Sequence, residues 1–157
     1  MSKSSTQLSY IVPLLATIQI VREITERTGQ NSRPLLSSAA LAKSLHTNPA
    51  YIRKLMRIAA RGNLLVSEKG KAEPRLALPA SEITLLAIYQ VVEGEKNVLN
   101  LNIHINPECN VAKAIQYSLG DEYARVQKAA EEEMANITLQ DIIEGYYARM
   151  GNDRLPD

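Results

Sequence analysis

Apolar positions recur along this chain with a helical period almost everywhere and with a short extended pattern in one place. Between Tyr10 and Arg27, residues Ile11, Leu14, Leu15, Ile18, Val21 and Ile24 fall three or four apart, until "RTGQNSRP" ends the run with a glycine and a polar loop. That spacing predicts a first helix. Pro13 lies inside it, so the regular part either starts near Pro13, where a missing N–H costs little, or kinks there. "SSAALAKSL" then offers Ser37 or Ser38 as N-cap of a short helix with Leu41 and Leu45 inward. Only "HTNP" follows, in which Asn48 can cap a third helix and Pro49 can occupy its first position. Ile52, Leu55, Met56 and Ala59 form one stripe of that helix, Arg53, Lys54, Arg57 and Arg61 fall elsewhere, and Gly62 is expected to supply a left-handed stop.

The period then changes. "NLLVSE" and "RLALP" flank "KGKAEP" as two short extended segments around a Gly and Pro loop, a β-hairpin with Lys69, Lys71 and Arg75 at or near its tip. "SEITLLAIYQVVEG" returns to helix, capped by Ser81 or Thr84 and closed by Gly94, whereas "EKNVLNLNIHINPEC" has no helical period and reads as a short strand or a loop. From Asn110 to Ile137, residues Val111, Ile115, Leu119, Tyr123, Val126, Ala130, Met134 and Ile137 recur in steps of three and four, with the phase unbroken across Gly120. One amphipathic helix of about 28 residues would span about 40 Å, longer than a domain this small can cover with its own core. A partner is needed, most simply a second copy. A last helix, "TLQDIIEGYYARM", starts at Thr138 and is expected to add Leu139, Ile142, Ile143 and Tyr146 to the same seam.

Helix, turn, basic helix and basic hairpin, in that order, is the plan of a winged helix-turn-helix. The expected fold is mainly α with a small β-hairpin wing: a winged helix-turn-helix DNA-binding domain over residues 1–94, a linker over 95–109, and long dimerisation helices over 110–157.

Composition and charge sharpen this picture. The chain has 157 residues, 45% hydrophobic and with neither Phe nor Trp, so one aliphatic core is the default. No run of about 18 uninterrupted apolar residues occurs, and "MSKSSTQLSY" lacks the apolar stretch of a signal peptide; the expectation is a cytoplasmic protein with no membrane contact. The net charge of +1 conceals an asymmetry: residues 1–42 carry +2, residues 43–81 carry +6 and residues 82–157 carry −7. Clustered Lys and Arg, rather than a high overall charge, are what neutralising phosphates requires, so double-stranded DNA is the expected partner. The first residues of a recognition helix face base edges while flanking groups grip phosphates. That places Ala50, Tyr51, Arg53 and Lys54 in the major groove, with Arg53 as the candidate for a bidentate guanine contact and Arg57 shared between base and phosphate. Ser38, Lys69, Lys71 and Arg75 would hold the backbone. Basic residues on a lone helix are more often merely solvated; here capped helix, basic face and basic hairpin occur together.

The remaining chemistry is sparse. Cys109 is the single cysteine, which excludes an internal disulfide and cannot by itself hold zinc or an iron–sulphur cluster; no cofactor and no metal site are expected. At the start of a long helix it is a candidate redox sensor, set against the plainer reading of a small half-buried residue, which the adjacent Glu108 favours by opposing a thiolate. His104 and Cys109 make a weak metal pair and His104 reads better as a loop histidine; His46 reads as an exposed turn residue. Tyr117, Tyr123, Tyr146 and Tyr147 fit a dimer core better than a ligand pocket. No nucleophile with its base at motif spacing and no glycine-rich phosphate loop are present, so an enzyme is not expected.

The pieces "SSAALAKSL", "AYIRKLMRIAARGNLLVSEKG", "RLALPASEITLLAIYQVVEG" and the pairing of a long helix with "ITLQDII" resemble the Rrf2-type bacterial winged-helix regulators, the family of IscR, NsrR and CymR, over nearly the whole chain. "IHINPECNVAKAIQ" is similar to the YwnA-type subgroup. The resemblance implies a homodimeric transcriptional regulator on a near-palindromic operator; the expected case is a repressor, and an unidentified small-molecule or thiol-reactive effector is a candidate partner. Three departures stand out. Iron–sulphur members carry three cysteines before the long helix and this chain has Cys109 alone, the wing "KGKAEPRLAL" lacks a glycine-rich tip, and Arg53 and Lys54 stand where cluster-binding relatives often have Glu and Gln. The alternative is a winged-helix module that serves protein assembly without DNA.

Overall fold

The structure is a computed structural model that describes residues 3–66, 73–152 and 155. Helix α1, Lys3–Thr28, runs through the centre of the core. Its residues Ile11, Leu14, Leu15, Ile18 and Ile24 have no exposed surface, and Ile20 and Val21 almost none. It begins earlier than the periodicity suggested and continues through Pro13. The proline removes one backbone bond to the preceding turn, and the burial of the leucines and isoleucines around it, each contributing about 1.5–3 kcal/mol, outweighs that loss. By length and apolarity alone the stretch Thr6–Thr28 could cross a membrane, contrary to the expectation from uninterrupted runs; half of it is buried inside the fold, which accounts for its apolar character.

Helices α2, Ser38–Ser44, and α3, Pro49–Arg61, pack on one another, and α3 packs on α1. Ser37 caps α2, its hydroxyl accepting from Ala40 N at 3.2 Å, and Asn48 caps α3, its Oδ1 accepting from Tyr51 N at 2.9 Å. The expected left-handed stop at Gly62 is not observed: Gly62 has φ −85°, and the next residue, Asn63, takes the left-handed turn at φ 56°. Asn tolerates that region because its short polar side chain clashes little there. Gly62 is needed for a different reason, since a Cβ at that position would lie 2.4 Å from a Val91 methyl. It is where α3 touches α4.

Strands β1, Leu65–Val66, and β2, Arg75–Leu76, pair antiparallel with Leu65 opposite Leu76 and Val66 opposite Arg75. Leu65 and Leu76 face the core. A 3-10 turn over Ala80–Glu82 leads to α4, Leu85–Glu93, capped by Thr84 and closed by Gly94 at φ 61°. Residues 95–109 contain no helix or strand. The segment runs back along the next helix: Val98 N donates to Gln127 Oε1 at 2.7 Å, Gln116 donates to the Asn102 carbonyl, and Leu101 lies over Gly120.

Helix α5, Asn110–Asn136, is continuous through Gly120, and none of its residues is buried. Helix α6, Leu139–Met150, carries a capping box in which Thr138 Oγ1 accepts from Asp141 N and Asp141 Oδ2 accepts from Thr138 N. Those backbone and hydroxyl hydrogen bonds hold the exposed Asp141 carboxyl below its ordinary range. The expectation that α6 extends the seam of α5 is corrected here. Leu139 and Ile143 are fully buried in the core with α1, and only Ile142 among the four expected seam residues is exposed. A two-residue clasp fixes this return: Leu85 N donates to Ile137 O at 2.7 Å and Leu139 N donates to Ile83 O at 2.8 Å, pairing Thr84 with Thr138. Tyr147 locks the other end, its hydroxyl donating to Glu23 Oε2 at 2.6 Å under the Arg27 guanidinium. Burial, with the Glu23 carboxylate as its acceptor, pushes the Tyr147 phenol up to about 12.

Candidate nucleic-acid interface

The turn between α2 and α3 is tight. His46 is exposed and adopts φ 53°, and Thr47 N donates back to Ala42 O at 2.9 Å. An exposed left-handed histidine fits the exposed turn residue that the sequence suggests. The turn leaves the N-terminus of α3 at the surface, where Asn48, Pro49 and Ala50 are all exposed.

From there α3 divides into two faces. Ile52, Leu55 and Ala59 are fully buried and anchor the helix on the core, while Arg53, Lys54, Arg57 and Arg61 are exposed. Arg53, Lys54 and Arg57 make no ion pair among the described residues. Unneutralised guanidinium and ammonium groups on a fixed helix make a directional cationic surface, the arrangement that phosphates and guanine edges require.

Tyr51 behaves differently from its neighbours. It is half-buried, its ring set edge-on against Tyr10 of α1 with centroids 5.4 Å apart and planes at 90°. Burial, and to a lesser degree Tyr10, raises its phenol above the ordinary tyrosine range, so it stays neutral and offers a hydroxyl donor. The ring therefore braces the start of α3 against α1. That brace was not anticipated; the clue was Tyr10, four residues before the buried Leu14 on the same helical face.

Ser38 is the first residue of α2 and is half-buried, whereas its neighbour Ser37 is exposed and occupied as the cap. Arg75 is exposed at the start of β2. Glu73, just before it, pairs with Arg22 of α1 at 3.4 Å and ties the descending arm of the wing to the core. Lys69 and Lys71 lie outside the described residues. Arg53, Lys54, Arg57 and Ala50 thus share one surface of α3, Ser38 lies at the start of the helix before it, and Arg75 belongs to the wing.

Cys109 is half-buried and caps α5, its Sγ accepting from Ala112 N at 3.4 Å. A sulphur in the position usually taken by Ser or Asp explains why the helix starts where it does. His104 is exposed on the extended segment, its backbone N–H donating to Asn102 Oδ1 at 2.9 Å. Tyr146 and Tyr147 pack edge to face with ring centroids 5.4 Å apart, both half-buried against the protomer core.

The family model for "Rrf2: Iron-dependent Transcriptional regulator" matches residues 6–145. YwnA of Bacillus subtilis (strain 168), assigned as an HTH-type transcriptional regulator, is 31% identical over 107 residues, which cover 68% of this chain and 80% of YwnA. A crystal structure assigned to a DNA-binding protein superposes with a TM-score of 0.64 at 27% identity, covering 87% of this chain and 98% of that one. CymR of Staphylococcus aureus has the same fold, with a TM-score of 0.58 at 21% identity over 88% of this chain and 96% of CymR.

The iron dependence in the family description does not fit the donors present. Thiolate-held clusters use up to four cysteines, the sequence has one, and that sulphur accepts a backbone hydrogen bond as a helix cap. Among the described residues no three His, Cys, Asp or Glu side chains converge on a common point. With the family model matched across most of its length, and with a fold shared by solved relatives, this chain belongs to the Rrf2 family of transcriptional regulators.

Proposed function

We propose that this DNA-binding regulator acts as a homodimer on a near-palindromic operator, in the cytoplasm and as a repressor. The proposed division is a DNA-reading part over residues 1–94, the segment 95–109 laid along α5, and α5 as the dimerising arm, with α6 returned to the reading part. One observation carries the DNA-reading assignment: the exposed face of α3, with Arg53, Lys54 and Arg57, stands on a helix capped by Asn48 and anchored by buried Ile52, Leu55 and Ala59. In this reading α3 enters the major groove, Arg53 takes a guanine edge, Lys54 and Arg57 divide between bases and phosphates, and Tyr51 contributes its hydroxyl while its ring stays on Tyr10. Ser38, Arg75, Lys69 and Lys71 grip the backbone.

Dimerisation is supported by the uncovered side of α5, where Val111 is 68% and Ile115 60% exposed in the single chain. Leaving such a row of aliphatic side chains in water is unfavourable, and a twofold copy would bury it and set two α3 helices at half-site spacing. Cys109 remains a candidate redox sensor, with an effector of thiol-reactive or small-molecule class.

The test is a mobility shift on the DNA upstream of the chain's own gene, at two salt concentrations and with unrelated competitor. Specific binding that weakens steeply with salt, is lost in Arg53→Ala and survives in Cys109→Ser is the expected result. Binding no tighter than to competitor would favour the protein-assembly module instead.

A further inference from the structure

Beyond α6 the chain reaches a part of the molecule that neither the arm nor the basic face of α3 involves. Gly151 turns the backbone at φ 78°, Arg27 donates to the Asn152 carbonyl, and Leu155 packs against the hydrophobic core. Leu155 lies at a cavity of about 190 Å³ between α1 and α2, together with Thr17, Val21, Leu35 and Leu41. The cavity is mainly apolar and lies directly behind the first helix of the helix-turn-helix.

Helix α2 has only seven residues, and a helix of two turns has no stability of its own. Its position depends on what its side chains pack against. Leu41 and Ala42 are buried in the core, but Leu35, which leads into α2 and lines the cavity, is 37% exposed, so cover on that side is incomplete. Leu155 supplies apolar surface there from the far end of the sequence. Lys43, which is exposed, also lines this cavity.

We propose that Leu155 is an intramolecular clamp on α2: its side chain, packed on the core at the cavity between α1 and α2, sets how firmly the helix-turn-helix is held. Because α2 packs directly on α3, a loosened α2 presents α3 to DNA less rigidly. This last step rests on the DNA-reading function proposed above; the clamp itself does not.

The experiment uses the full chain with Leu155→Asp and Leu155→Ile, measuring amide hydrogen exchange and affinity for the upstream DNA fragment. In Leu155→Asp the amides of Leu41, Ala42 and Leu45 should exchange about tenfold faster, the loss expected for withdrawing a half-buried leucine. Those of Ile88 and Tyr89 in α4 should be unchanged, DNA affinity should fall about three- to tenfold, and Leu155→Ile should restore both. Exchange in α2 within about twofold of wild type would overturn the clamp. Faster exchange with unaltered DNA affinity would uphold the clamp and overturn its link to DNA reading. If the wild type binds no DNA specifically, the exchange measurement still decides the clamp, because it needs no DNA.

Discussion

Helices α1 and α5 are nearly the same length, 26 and 27 residues, and both carry aliphatic residues at steps of three and four. Their surroundings are opposite. Along α1 every position from Leu14 to Ile24 that could face the core does so, whereas α5 buries no residue and leaves Val111, Ile115, Leu119 and Val126 between 37% and 68% exposed. Periodicity states that a face requires cover and is silent about where the cover comes from. For α1 it comes from α3, α4, α6 and the wing; for α5, among the described residues, it comes mainly from the segment 95–102 and part of α4.

The sharpest way to test that contrast is to injure one residue on each side of it. Leu139→Ala removes a fully buried side chain from the core that α1 organises and should cost about 2–5 kcal/mol in urea unfolding, with the association constant of the folded chain unchanged. Should it weaken association instead, α6 belongs to the seam of α5 after all. Ile115→Glu should do the converse, raising the dimer dissociation constant about a hundredfold in sedimentation equilibrium while the far-UV spectrum of the protomer is preserved, since a buried unpaired carboxylate is costly only where a copy covers it. A smaller effect is expected at the junction of α3 and α4. Gly62→Ala drives a methyl into Val91, whose branched side chain has few alternative rotamers, and should lower stability by about 2 kcal/mol without altering dimerisation.

Tyr147→Phe should have the mildest effect, about 1 kcal/mol at neutral pH, by deleting one hydrogen bond to a half-buried carboxylate. Its signature is the pH dependence. The folded phenol titrates near 12 and the unfolded one near 10, so the unfolded chain loses this proton first, and the stabilisation is complete below pH 10 and disappears as pH rises through 12. The wild type should lose stability over that interval more steeply than Tyr147→Phe; parallel curves would show that the bond contributes nothing.

Local features of this fold were legible because their causes are local. The caps Ser37, Asn48 and Thr84 each involve a side chain and an amide three residues on; Asn48 is legible outright, Ser37 and Thr84 each as one of two candidates, and the Asp141 half of the Thr138 box is not. Residue type points to Gly62 as the stop after α3, but the need for a glycine there comes from the space Val91 takes, twenty-nine positions away, and Asn63 makes the left-handed turn. The allegiance of α6 was illegible for a related reason: the apolar spacing of Leu139 and Ile143 says only that they need cover, and the clasp at Thr84 and Thr138 is what turns them toward α1. For the candidate site, the division of α3 into buried and cationic faces followed from spacing, while Tyr51's commitment to Tyr10 depended on two helices meeting.

The clasp also bears on how the protein is made. Ile83 and Ile88 take part in a core that is completed by Leu139 and Ile143, so everything between Thr84 and Thr138 must emerge from the ribosome before that core can close. At about 5–20 residues per second of synthesis, the helices at the front of the chain wait about 3–11 s with aliphatic surface uncovered. Closing so long a loop adds an entropic cost that local helix pairing does not carry. The nascent chain is therefore most vulnerable to aggregation and chaperone capture in the interval when α5 has been synthesised and α6 has not.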